Sequence, residues 1–306
     1  MLRLVIVAGL VLQFSLSSFG QLKKFYTVKE TNSFDTVEFT LKAAKGNSFI
    51  KNYKDSEYPM VIYGNPDLER INPSFNTKFK GQTCYAKLGL DTYNSNFSDS
   101  FRFIVDKSAK EEDGNYWKVL VGDQKVYRFY MKYGVGSTEV DLSNVKTEKL
   151  WLSSGSANVK VGYGDTQQNL IQMDTFFVKV DMGNLETFNL GNARASNFIA
   201  DIGFGTATLD FRGNESEKVR CDAKIGAGGL DVLIPDEDVP VIIYIKDSPF
   251  CGIRLADDFE EVEEVVIDGT TRNVFVNHSY SADAKNLMVL NVDVALGTLS
   301  VSYYGE

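Results

Sequence analysis

The chain has 306 residues, a formal net charge of −9, three cysteines and one histidine. An acidic chain repels phosphate backbones, and no segment gathers its basic residues, which excludes nucleic-acid binding. One histidine and no Cys-x-x-Cys pair exclude most zinc and thiol-redox centres.

Met1-Leu2-Arg3 leads into an unbroken apolar run, Leu4 to Leu12, followed by Ser17, Ser18, Phe19 and Gly20. A basic start, a short apolar centre and small residues at the cut are the three parts of a secretory signal peptide. Cleavage is expected before Gln21, so residues 1–20 are assigned as the signal. The competing reading is a membrane anchor. A spanning helix needs about 20 mainly apolar residues, and Gln13, Ser15, Ser17 and Ser18 interrupt this stretch. No cysteine stands at the cut to carry a lipid, and no second long apolar run follows, so no membrane span is expected after cleavage. The expected location is the periplasm, the cell surface or the extracellular space.

Residues 21–129 read as an irregular, β-rich region. It holds Pro59, Pro66 and Pro73, a turn-rich run at 91–100, and a charged stretch at 106–113 expected to be an exposed loop. The two best helix candidates in the chain are short, at 116–121 and 283–287. A boundary is placed near Phe129. No Gly/Ser or Pro linker marks it, so both parts can share one sheet.

Residues 130–306 read as a stacked-strand β-solenoid. Strict apolar/polar alternation appears at 177–181, 241–245 and 290–294, the signature of half-buried strands. A glycine recurs within these patterns. Gly205 has Ala200 and Ile202 before it and Ala207 and Leu209 after it. Gly228 has Ala223, Ile225, Leu230 and Val232 at the same offsets, and Gly297 has Val292, Val294, Leu299 and Val301. Gly136, Gly155 and Gly183 fit the same frame, and Gly46 begins an earlier, weaker copy. The apolar phase inverts across the glycine, which predicts a bulge or bend there that returns the apolar face to one side. Spacings of roughly twenty residues match one solenoid coil. The long interval from Gly228 to Gly297 leaves room for further coils without the glycine. A sandwich of short hairpins is the competing architecture.

Cys84, Cys221 and Cys251 allow one disulfide or three buried thiols. The single histidine, His278, would have to serve any Ser–His–Asp triad, but a His in a short polar loop reads as an ordinary surface residue. The pairs Gly134/Gly136, Gly203/Gly205 and Gly226/Gly228 are followed by strands, not by the helix a dinucleotide loop needs. Asp201-Ile202-Gly203 is only loosely similar to the aspartic-protease Asp-Thr-Gly and lacks a partner. The acidic run 257–264 has calcium-preferred ligands but no EF-hand spacing, and reads as a solvated loop. Trp117 and Trp151 are expected in the core. Sequons at Asn96, Asn214 and Asn277 matter only in a eukaryotic host. No catalytic, cofactor-binding or metal-binding residue is assigned, and no cofactor is expected.

Several stretches together resemble a known family. They include Val140 to Val145, Leu150 to Val159, Met173 to Gly183, Phe198 to Gly205, Asp247 to Cys251 and Asn291 to Gly297. They look like the toast-rack domains of bacterial cell-envelope proteins, similar to the domains of cell-wall-antibiotic-response membrane proteins and of adhesin heads. The resemblance covers about Met131 to Tyr303. It implies a bacterial source and a stacked-strand fold, and it transfers no catalytic residue. The stress-response members carry membrane helices that this chain does not show. A Gln directly after the cut is common in Bacteroidetes exports, which fits that source. The expected function is a non-enzymatic envelope scaffold or adhesion-type binding module with a protein or glycan partner. The alternative is a carbohydrate-active enzyme, which would gather ionisable residues from successive coils in one groove. A calcium-stabilised module is the third reading.

Overall fold

The computed structural model describes residues 24–30, 33–65, 71–92, 116–213 and 218–305. The signal segment 1–20, Pro66, most of the run 91–100, the stretch 106–113, Asn96 and Asn214 lie outside the described residues.

The strands, in chain order, are β1 (Lys24–Val28), β2 (Thr36–Asn52), β3 (Met60–Gly64), β4 (Ile71–Lys80), β5 (Thr83–Thr92), β6 (Tyr116–Val121), β7 (Val126–Asp141), β8 (Lys146–Gly162), β9 (Met173–Phe188), β10 (Ala195–Asp210), β11 (Val219–Ile234), β12 (Val241–Lys246), β13 (Cys251–Leu255), β14 (Glu260–Ile267), β15 (Thr270–Val276) and β16 (Met288–Tyr303). They form one 16-stranded sheet. Both expected helices are absent. Residues 116–121 form β6, because Trp117, Val119 and Val121 alternate into the core. Residues 283–287 are turn. The expected division at 129/130 falls inside β7.

Seven long strands carry the fold. β2, β7, β8, β9, β10, β11 and β16 lie side by side, all parallel and in that order. Each is bent near its middle. In β7 the buried residues are Tyr127, Phe129, Met131 and Tyr133 before the bend, then Thr138 and Val140 after it. An unbroken period-two strand would hold one phase. The bend resets it, so both arms turn their apolar side to a shared core. The Tyr133 hydroxyl, on a first arm, meets Ser48 Oγ at 2.6 Å and Thr138 Oγ1 at 3.2 Å, both on second arms.

The bend is set by Gly46, Gly136, Gly183, Gly205, Gly228 and Gly297, which stand in register with φ between +126° and +144°. L-residues rarely adopt such angles. In β8 the register position belongs to Ala157, not Gly155. Gly155 lies two residues earlier, in a second small-residue column with Gly134, where a Cβ would sit 2.9 Å from the Gly134 carbonyl oxygen. The repeat is therefore out of step by two residues in that coil.

The long interval before Gly297 contains no coil inside the stack, because β11 and β16 are direct neighbours. Instead, two insertions build the ends. At one end β5 pairs with the first arm of β2 and β6 with its second arm. At the other, β12 pairs with the first arm of β16 and β13 with its second. The end layers are thus split strands, β5 and β6 at one end and β12 and β13 at the other.

Turns between coils are held by buried asparagines. Asn169 is fully buried. Its Oδ1 accepts from the Thr147 amide at 2.8 Å, and its Nδ2 donates to the carbonyls of Thr147 at 2.7 Å and Ala193 at 3.2 Å. Asn189 Nδ2 donates to the Tyr163 carbonyl at 2.8 Å. These amides satisfy backbone groups that the connections would otherwise bury unpaired.

Candidate functional site

Parallel in-register pairing turns each sequence offset into a row of side chains running across the strands. Six residues before the bend, the outward row is Tyr130, Trp151, Phe177 and Ile199 on β7 to β10. Trp151 is 41% exposed, so it is a surface residue and not the core residue expected; Trp117, at 1%, is in the core. The Trp151 and Phe177 rings stack with centroids 3.9 Å apart and planes 19° off parallel. Tyr130, Phe177 and Ile199 are half-buried, and none of the four belongs to the core.

A second apolar row follows the convex side of the bend. Met182, Phe204, Ala227 and Leu296 are in register on β9, β10, β11 and β16. Phe250 continues the row, since its carbonyl accepts the Gly297 amide at 2.9 Å. Phe204 is 61% exposed and Phe250 69%. The residue before each bend glycine points outward because the chain turns its concave side to the core.

Between the rows runs a strip of charge of alternating sign. Lys179 lies 3.4 Å from Asp201 on the neighbouring strand, and Lys246 lies 3.2 Å from Asp293. Asp201 and Asp181 beside Lys179 hold its ammonium above the ordinary lysine range. Ionisable residues of successive strands therefore pair off along a sheet face.

The structure does bring Asp258, His278 and Ser279 together. His278 Nδ1 lies 2.8 Å from Asp258 Oδ2, and His278 Nε2 lies 3.1 Å from Ser279 Oγ. The sequence offered no sign of this, because Asp258 reaches His278 from the turn between β13 and β14. The hydrogen bond to Asp258 raises the His278 pKa above its ordinary value. Burial pushes the Asp258 carboxyl up, but bonds from His278, Tyr303 and backbone amides outweigh it and leave the pKa lowered. A protonated His278 donates from both nitrogens, while the Ser279 hydroxyl donates to the Glu237 carbonyl at 2.8 Å. The serine proton thus points to backbone and not to a base, unlike the arrangement of a nucleophilic serine. The Tyr303 hydroxyl also donates to Asp258, at 2.8 Å. The cluster pins the β13–β14 turn, the 277–280 turn and the end of β16 to one another.

The structure also places Asn277, the acidic run and the cysteines. Asn277 is buried: its Nδ2 donates to the Val239 carbonyl at 2.8 Å and its Oδ1 accepts from the Val241 amide at 2.8 Å. The acidic run is not a loop: Glu260, Glu261, Glu263 and Glu264 lie on the edge strand β14, next to β15. Cys84, Cys221 and Cys251 are free thiols, the first two in the core. Burial raises the Cys84 thiol to about 11.

No family model and no curated protein matches the sequence. Among solved structures the chain is similar to a provisionally named cell adhesion protein from Clostridium sporogenes ATCC 15579, with 12% identity, 92% of this chain and 99% of that chain covered, and a TM-score of 0.41. It is also similar to a provisionally named adhesin from Bacteroides fragilis NCTC 9343, with 12% identity, 92% and 96% covered, and a TM-score of 0.28.

Proposed function

We propose that the protein is an exported, non-enzymatic binding module of the cell envelope, of the scaffold or adhesion type, whose partner is a protein that docks on the outward face of the first arms. Residues 1–20 act as the cleaved signal, and 21–129 and 130–306 are the two parts of the mature chain. The observation that carries the reading is the Tyr130–Trp151–Phe177–Ile199 row, a line of large apolar side chains that the core does not use. Exposed aromatics of this kind anchor interfaces. Stacking of Trp151 on Phe177 occupies the ring face that a sugar would take, which favours an apolar protein surface over a glycan.

The test places a photo-crosslinking residue at position 151 and, as a control on the second arm of the same strand, at Lys160. Irradiation in the native envelope is expected to join position 151, but not position 160, to one discrete protein. Equal crosslinking at both positions overturns the docking face. Trp151-dependent binding on a glycan array replaces the protein partner with a glycan. Turnover of any polysaccharide by the purified chain removes the non-enzymatic reading.

A further inference from the structure

Among the described residues, the first-arm side of the sheet ends in the edge strands β4 and β14, and their charges are opposite. At one end β4 pairs only with β5 among the described residues, and carries Lys78 and Lys80. These lysines line an open depression of about 350 Å³ with Lys87, Asn76 and Tyr85. At the other end β14 pairs only with β15 among the described residues, and carries Glu260, Glu261, Glu263 and Glu264. Val262 and Val266 on β14 are 54% and 72% exposed.

Both edges extend the first arms. β5 joins the first arm of β2, and β12, which leads through β15 to β14, joins the first arm of β16. Their directions also match. β4 is antiparallel to β5 and so runs against the seven long strands. β14 reverses β15, which itself reverses β12, and so runs with them. A second copy stacked in the same orientation along the sheet would therefore set its β4 antiparallel to the first copy's β14.

We infer that the protein self-associates head to tail, with β14 of one copy adding to β4 of the next and continuing the sheet. An open edge supplies unpaired backbone donors and acceptors for such addition. Charge selects the partner: β14 against β14 would face glutamates with glutamates, and β4 against β4 would face lysines with lysines. Only the unlike pairing is attractive, and an interface between unlike surfaces makes chains or rings and not a two-fold dimer. The inference does not depend on the docking face proposed above, since neither edge contains any of its residues.

The test is sedimentation of the chain lacking only residues 1–20, which keeps every described element, at 20 mM and 500 mM salt across a concentration series. Two variants accompany it. One carries Lys78→Glu and Lys80→Glu; the other carries Glu260→Lys, Glu261→Lys, Glu263→Lys and Glu264→Lys. Far-ultraviolet circular dichroism and thermal melting verify that each is folded. The expected result is concentration-dependent growth beyond the monomer at low salt, reversed at high salt. Each variant alone should be monomeric, and an equimolar mixture of the two should assemble again, because each reversed edge then meets an opposite one. A wild-type chain that stays monomeric at every concentration in low salt overturns the inference. So does assembly that persists in both variants, or a folded mixture that stays monomeric.

Discussion

Gly228 rests so closely on its neighbour in the stack that a Cβ added to it would lie 1.6 Å from the carbonyl oxygen of Gly205. The contact recurs down the ladder, with 1.7 Å from Gly205 to the Gly183 oxygen and from Gly297 to the Gly228 oxygen. The obstacle is backbone of the neighbouring strand and not a side chain that can swing aside. Gly228→Ala combines this clash with a φ of +144°. It should cost at least about 3 kcal/mol, seen as a large fall in the urea midpoint. Gly81→Ala is the control. Its φ is +58° and nothing lies within 4 Å of the added carbon, so the cost should be about 1 kcal/mol. Equal losses at the two sites would contradict the close-stacking account.

Asn169→Ala removes three hydrogen bonds to buried backbone at once, two of them to Thr147. The stranded groups carry a desolvation cost, and destabilisation of about 2–4 kcal/mol follows. Asn169→Asp keeps the acceptor for the Thr147 amide and loses the donors. It should be no better, since a buried carboxylate would then face two carbonyls. Chemical denaturation of both variants gives the answer, and a loss below about 0.5 kcal/mol in Asn169→Ala would remove the asparagine from the list of stack-holding residues.

The His278–Asp258 pair makes stability depend on pH in a direction that can be stated. His278 has its pKa raised above 6.5, so its contribution is complete below that value and fades as pH climbs through the raised value. Asp258 has its pKa lowered from 3.8, so its contribution is complete above that value and fades on acidification through the lowered one. The pair is therefore strongest between the two ordinary values. His278→Gln should flatten the alkaline side of the melting profile around neutrality and leave activity of the docking face unchanged. A wild-type profile with no slope there, or an identical slope in the variant, speaks against the pin.

Thiol accessibility offers an inexpensive check on the layering. Cys251 lies on the outermost strand β13 and is partly exposed, whereas Cys84 and Cys221 are buried. One thiol should react with a maleimide in the native protein and three in denaturant. Burial raises the pKa of Cys251 as well, so its labelling should accelerate with rising pH. Fast native labelling of all three would mean that the core is open.

Trp151→Ala should abolish partner crosslinking from a photo-reactive residue placed at the neighbouring position 177, yet change stability by only about 1 kcal/mol, the order of one aromatic stack on a surface. The ring is half outside the protein and contacts Phe177 on the same face. A collapse of the fold on this substitution would return Trp151 to a structural role.

Some of this was visible in the order of residues. Alternation of period two is written locally, because successive side chains on a strand must point to opposite faces, so the strands and the inversion at Gly136, Gly183, Gly205, Gly228 and Gly297 could be read directly. Even the outlying copy at Gly46 stands in the ladder, facing Gly136 across 90 residues of chain numbering. What local pattern could not reveal was adjacency. Residues 241–245 carry the same alternation, yet β12 and β13 form a split end layer and not further coils, because β11 already meets β16. Nor could it reveal the Ala157 register, since Gly155 fits the apolar offsets equally well two residues away. Trp151 and Trp117 both read as large apolar residues on strands. Which one faces water depends on the side of the sheet that the bend turns inward, and that is decided when the arms close on a common core. The Asp258–His278–Ser279 contact and the opposite charges of the two edges belong to the same class of fact. They arise between segments far apart in the chain, and only the stacking order of the strands puts them where they are.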